Sequence, residues 1–282
     1  MKQIGNLFGM NFEKEGPGAP ENGKKDPVFI RFFKIIKRKF WAMLRINAMQ
    51  LIGSLPALAI AVLLISPMYM DFLPDHIGAD FGARLLVGFL FLSLQLICVG
   101  PVQAGFIYTM RNYAREEHVF VWHDFIKGIR ENWKRAGIVS LIDLLMVFLV
   151  SYTWCFYRML GAKMGMIEQL CSVILLIILV IYAMMHMYIY PMMATLDLNV
   201  GQLYANAFRF AIGKFLPNLG ILALIILFDC LIFLNQATGV LLMALVGFVF
   251  PNFLSTYYAY LGIDKHIIQK IRRMEAGENR DM

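Results

Sequence analysis

Charge is what this 282-residue chain has least of. Only 16% of its residues are Asp, Glu, Lys or Arg, while 60% are apolar and mean hydropathy is +0.65. Water-soluble domains carry about 25% charged and about 45–50% apolar residues, so both departures point toward lipid. Disorder is excluded, because a disordered chain needs low hydrophobicity and high net charge. Four cysteines in so long a chain exclude a disulfide scaffold. Catalytic signatures are missing as well. There is no G-x-S-x-G nucleophile elbow, no H-E-x-x-H zinc helix, no G-x-x-x-x-G-K-S/T phosphate loop and no G-x-G-x-x-G dinucleotide turn. The composition predicts an all-α integral membrane protein, and the missing motifs lead to the expectation that it is not an enzyme and needs no cofactor.

What the chain does have is long uncharged runs. A bilayer core about 30 Å thick needs about 20 largely apolar residues per spanning helix. Ile46–Met70, Leu85–Met110 and Gln169–Leu196 carry no charge, and Ala136–Tyr157 carries only Asp143. Phe215–Ile263 carries only Asp229 but is too long for one helix, and Asn235-Gln236-Ala237-Thr238-Gly239 reads as the turn that divides it. Six spanning helices are expected. Lys and Arg concentrate on the cytoplasmic side of a membrane protein. With the N-terminus inside, 23 of the 26 basic residues fall on inner segments, leaving Arg84, Arg158 and Lys163 outside, where Asp71, Asp75 and Asp80 make the first loop acidic. Both termini are therefore expected in the cytoplasm. The +7 net charge is explained by anionic lipid, with no nucleic-acid partner. Residues 1–27, rich in Gly and Pro and without a cleavable signal, read as a flexible tail. Residues 28–276 read as the membrane domain and 277–282 as a C-terminal tail.

Helical periodicity reappears in the inner segments. Phe29, Phe32, Phe33, Ile36, Phe40 and Leu44 recur before the first span. Trp122, Phe125, Ile126, Ile129 and Trp133 do so before the third, and Val200, Leu203, Ala207, Ala211 and Phe215 before the fifth. Such stripes suit helices lying at a membrane surface. The second span of each pair carries one proline, Pro101, Pro191 or Pro251, and a proline inside a helix removes a backbone hydrogen bond and kinks it. The pattern of surface helix, span and proline-bearing span thus occurs three times, always entering from the same side. It reads as three parallel repeats or as a chance alignment of prolines, since Pro56 and Pro217 also fall inside expected spans.

Polar residues inside the spans are the chemical candidates. An ionised Asp at mid-membrane costs about 2.5–3.5 kcal/mol on insertion scales, so such residues face a bundle interior or a wet cavity. Asp143 and Asp229 are the two acids, with His186 and Gln95 deep in their spans and Gln50 and Gln103 nearer the inner surface. They form a proton or substrate path, or they are packing contacts between helices. The connection with Arg111, Arg115, Glu116, Trp122, Asp124 and Phe125 mixes both charge signs with aromatics, as a partner-docking loop would. His118 and His123 lie near Glu116, Glu117 and Asp124, but the surrounding aromatics favour a surface helix over a metal site. Cys155 and Cys171 could approach each other at the outer surface; small apolar fillers are the simpler reading.

Gly100-Pro101-x-x-Ala104-Gly105, the Arg111–Glu117 run, Trp122-x-Asp124-Phe125, Asn132-Trp133-Lys134 and the N-terminal Phe29-x-Arg31-Phe32-Phe33 to Trp41 run together resemble the bacterial YesL-like membrane proteins. The likeness covers most of residues 28–215. The family is defined by a domain of unknown function whose genes lie among carbohydrate-uptake genes. The resemblance therefore implies an accessory or scaffold role beside a carbohydrate ABC transporter permease, and it supplies no catalytic residue. Gln103 stands where the family pattern has an apolar or small residue. Two functions stay open from sequence: that accessory role, and a small secondary transporter using Asp143 or Asp229.

Overall fold

The computed structural model describes residues 27–65, 100–164, 166–232 and 241–275. All the regular structure among them is helical: α1 (Val28–Ile65), α2 (Gly100–Ala114), α3 (Val121–Met164), α4 (Met166–Thr195), α5 (Val200–Gly213), α6 (Phe215–Ile232), α7 (Val249–Ile263) and α8 (Gln269–Glu275). Wider π-turns precede α7 (Met243–Gly247) and α8 (Asp264–Ile268). Gln95, Cys98, the Asn235–Gly239 turn, the N-terminal tail as far as Asp26 and the C-terminal tail lie outside the described residues. So does the side chain of Cys155.

Surface segment and span were expected as separate helices, yet in α1 and α3 they are continuous. At 1.5 Å per residue the 38 residues of α1 run about 57 Å and the 44 of α3 about 66 Å. No proline interrupts either junction, and one glycine (Gly53 in α1, Gly137 in α3) is not enough to end a helix. The third pair does break, because α5 stops at Gly213 and Lys214 forms the joint to α6. Helix α5 is fixed at its start by a capping box, with Asn199 and Gln202 exchanging side-chain and backbone hydrogen bonds. It buries Leu203, Ala207 and Ala211, as its stripe predicts.

The proline-bearing helices α2, α4 and α7 each pack against the other two and form the centre. Every other long helix lies outside them. Helix α1 touches α2 and α7, α3 touches α2 and α4, and α6 touches α4 and α7. The tightest seam is α2 against α3, where glycines bring two backbones together. A Cβ on Gly128 would stand 2.6 Å from Tyr108 Cβ and 2.9 Å from Gly105 Cα, and one on Gly105 would stand 2.5 Å from the Phe125 carbonyl oxygen. The first turn of α1 is pinned to α7. Phe32 stacks on Phe253 at 5.3 Å, and the Tyr257 hydroxyl donates to the Val28 carbonyl at 3.1 Å while accepting from Arg31 Nε at 3.0 Å. Phe29, Phe33, Phe40 and Trp41 of α1 remain exposed on its opposite side.

Among the described residues, two helical stretches are long and apolar enough to cross a membrane, Leu170–Thr195 and Phe215–Ile232, and little of either is covered by protein.

Overpacking a close-packed seam costs about 1–3 kcal/mol. Gly128→Ala is expected to lower the thermal unfolding temperature of the detergent-purified protein by that equivalent. An unchanged transition would mean that α2 and α3 do not meet at Gly105 and Gly128.

Candidate functional site

Side chains from five helices converge on one cavity of about 540 Å³. Helix α2 contributes Gln103, α3 contributes Asp143, α4 contributes His186 and Tyr190, and α6 contributes Asp229. Gly247, Pro251, Asn252 and Ser255 come from α7 and the π-turn before it. The two acids that stand alone in their apolar runs, 86 positions apart in sequence, thus line the same space.

The geometry of one wall follows from helical spacing. Tyr182, His186 and Tyr190 are four residues apart and share a face of α4. The Tyr182 hydroxyl donates to Asp143 Oδ1 at 2.5 Å. His186 Nε2 lies 2.8 Å from the same oxygen but off the axis of its ring N–H, so the contact is electrostatic and not an aligned hydrogen bond. The Tyr182 and His186 rings pack 4.8 Å apart, and the Tyr190 ring lies 6.2 Å beyond.

A second wall is a chain of amides. Gln50 Nε2 donates to Gln103 Oε1 at 2.8 Å, Gln103 Nε2 to Asn252 Oδ1 at 2.9 Å, and Asn252 Nδ2 to the Phe248 carbonyl at 2.8 Å. Behind it, Asn47 is fully buried and grips the π-turn. Its Nδ2 donates to the Ala244 carbonyl at 2.7 Å, and its Oδ1 accepts from the Phe248 and Val249 amides at 3.0 and 3.1 Å. π-Turns interrupt the regular ladder, and Pro251 has no amide hydrogen to give the Gly247 carbonyl. One side chain thus binds three backbone groups where the wide turn passes into α7.

Away from the cavity, the end of the bundle that carries α5 is tied by polar contacts. Arg111 is buried, donates to the Ala194 carbonyl at 2.8 Å and lies over the Tyr108 ring at 4.5 Å. Asn218 accepts from the Tyr188 and Tyr258 hydroxyls at 2.7 and 2.8 Å, joining α4, α6 and α7. Arg135 donates to Asp197 and to the Leu198 carbonyl.

The structure divides the candidate docking residues. Arg111 and Phe125 are buried and hold helices together. Asp124 caps α3 by accepting from the Phe120 amide at 3.2 Å, Glu116 pairs with Arg38 at 2.9 Å, and Arg115 pairs with Glu117 at 2.7 Å. Trp122 stays 70% exposed beside Phe120 at 67%. Pro191 lies inside an unbroken α4, Pro101 in the first turn described of α2, and Pro251 on the cavity wall. Among the described residues no three His, Cys, Asp or Glu side chains gather as metal ligands, and Cys171 and Cys230 are free thiols.

Sequence reading passed over Asn47, Tyr182, Asn252 and Ser255. The available signal was spacing. Asn47 and Gln50 sit three apart in an apolar run, and Asn252 and Ser255 sit three apart after Pro251, so each pair shares a helix face.

Residues 83–154 match the family model described as "Protein of unknown function, DUF624". The match takes in about a quarter of the chain, including Asp143 and the Gly100-Pro101, Arg111–Glu117 and Trp122–Lys134 segments. No curated protein and no solved structure matches the chain.

Leaving buried polar groups unpaired costs about 1–3 kcal/mol each. Asn47→Leu, which strips three backbone groups of their partner, is expected to cost at least about 2 kcal/mol in thermal unfolding; a silent substitution would show that the π-turn is not held by α1. Tyr113 gives the opposite expectation. Its buried hydroxyl has no partner among the described residues, and burial pushes its pKa up to about 12. A phenol raised in the folded state costs no stability below about pH 10, and stability falls as pH rises from there toward 12. Tyr113→Phe is expected to keep or raise stability at neutral pH and to lessen that alkaline loss. Destabilisation at neutral pH would contradict this.

Proposed function

We propose that this protein spans the membrane six times with both termini in the cytoplasm, and that it is a small solute carrier whose binding site is the cavity between Asp143 and Asp229. One observation carries the reading: ionisable and amide side chains from five helices face a common space large enough for a small molecule. Packing contacts alone would scatter such residues among separate helix pairs. Charges in a bilayer are tolerated at a bundle interior or a wet cavity, where they mark substrate and ion paths.

The threefold arrangement of the sequence pattern supports this topology. Each outer helix packs on the proline helix that follows it in its own pair and on the proline helix of the preceding pair, so the order closes on itself around α2, α4 and α7. Three parallel units entering from one side pack in that way. The exposed aromatics of α1 and the Lys and Arg residues of the inner segments then lie at the cytoplasmic headgroups.

A second reading is favoured by a different observation. Exposed Phe120 and Trp122 border a groove formed with Arg45, Ala48 and Met49, and this is where a permease partner would dock in the accessory role. Exposed aromatics beside arginine suit an interface.

The test uses a background in which the four native cysteines are replaced, with Ser255→Cys placed on the cavity wall. A carrier predicts that this thiol reacts with a membrane-impermeant reagent applied to intact cells or to inverted vesicles. A thiol inert from both sides, but reactive once the protein is denatured, would mean a dry cavity and would remove the carrier reading.

A further inference from the structure

We infer that the cavity takes a small organic cation, with the Asp229 carboxylate as its counter-charge; the inference rests on the reading of the cavity as a solute site. The argument is an inventory of charge and hydrogen-bonding capacity on the walls. Among the described lining residues there is no Lys or Arg, and the ionisable groups are Asp143, His186, Tyr190 and Asp229. An anion would meet two carboxylates with only an imidazole to set against them.

The polar groups also differ in what they have left to offer. Asp143 is engaged, since Tyr182 and His186 both approach its Oδ1. The amides are engaged with each other. Gln103 and Asn252 have both carbonyl oxygens occupied and one N–H apiece committed to a neighbour. A polyol is recognised by free donors and acceptors side by side, and these amides have spent half of theirs on each other and on the backbone. Asp229 is the exception. It has no hydrogen-bond or ion-pair partner among the described residues, it is half-buried, and it is the only charge between Phe215 and Ile263.

An ionised carboxylate in apolar surroundings needs a compensating charge, and the chain supplies none on this wall. A cationic ligand would bring it. Phe248 and Tyr190 also line this space, and ammonium groups favour aromatic neighbours. A volume of about 540 Å³ admits a small amine or quaternary ammonium ion with room for its substituents.

Binding of choline, of its uncharged tert-butyl isostere and of glucose to the full-length detergent-purified protein tests this by calorimetry and thermal unfolding. Choline is expected to bind saturably and raise the unfolding temperature, and the isostere to bind at least about tenfold more weakly, since truncating one member of a desolvated charge pair costs that much or more. Asp229→Asn should abolish the difference between the two while leaving the unliganded unfolding temperature unchanged or higher, because no internal partner is lost. Equal binding of choline and its isostere, undiminished choline binding by Asp229→Asn, or no choline binding would each overturn the inference. If choline fails while glucose binds, or while Ser255→Cys still reacts from water, the solute cavity stands and only its cation selectivity falls. If every probe fails and that thiol is inert, both readings fall together.

Discussion

Backbone groups that lose their helical partner must find another, and at the π-turn before α7 that partner is a single side chain, Asn47. Asn47 reaches across from α1 with a donor and an acceptor and pairs with the Ala244 carbonyl and the Phe248 and Val249 amides, where the wide turn passes into α7. Inside an apolar bundle such groups have no water to turn to. The amide chain from Gln50 through Gln103 to Asn252 continues this contact across α2. Gly247, Pro251 and Asn252 stand beside it as a cavity wall.

The bundle is uneven along its length for a related reason. At the end bearing α5, glycine seams, the Asn218 junction and the Arg111 and Arg135 contacts close the helices together. Beyond His186 toward Cys171, α4 turns large apolar residues outward, with Leu170, Ile174 and Ile177 exposed. Water would penalise so much exposed apolar surface, and lipid would not. Closure by these contacts at one end thus contrasts with the exposed apolar helix surface at the other.

How much of this could be read in the sequence varies with the range of the signal. The long apolar runs and the α5 stripe are local and periodic, and the helices follow them. Pro101, Pro191 and Pro251 fall in the three central helices, but Pro56 and Pro217 fall in the outer helices α1 and α6, so proline alone does not mark the centre. That α1 and α3 run on without a joint was not legible, since an amphipathic stripe looks the same whether the helix stops or continues. Asp143, Asp229 and His186 stand out against apolar surroundings, but their convergence depends on the order in which helices pack, which no local pattern encodes. The docking segment misled in part. A mixed-charge, aromatic sequence describes a solvated loop and a buried clamp equally well, and Arg111 turned inward because the Ala194 carbonyl at the end of α4 offered it a partner.

Whether α2 and α7 meet face to face through Gln103 and Asn252 decides whether the cavity exists at all. Replacing both with cysteine in a background lacking the four native thiols, and bridging them in native membranes with a short bifunctional thiol reagent, measures that contact directly. The hydrogen bond between the two amides predicts near-complete bridging within one chain. Two thiols that alkylate freely after denaturation yet are never bridged would place the helices apart and contradict the account.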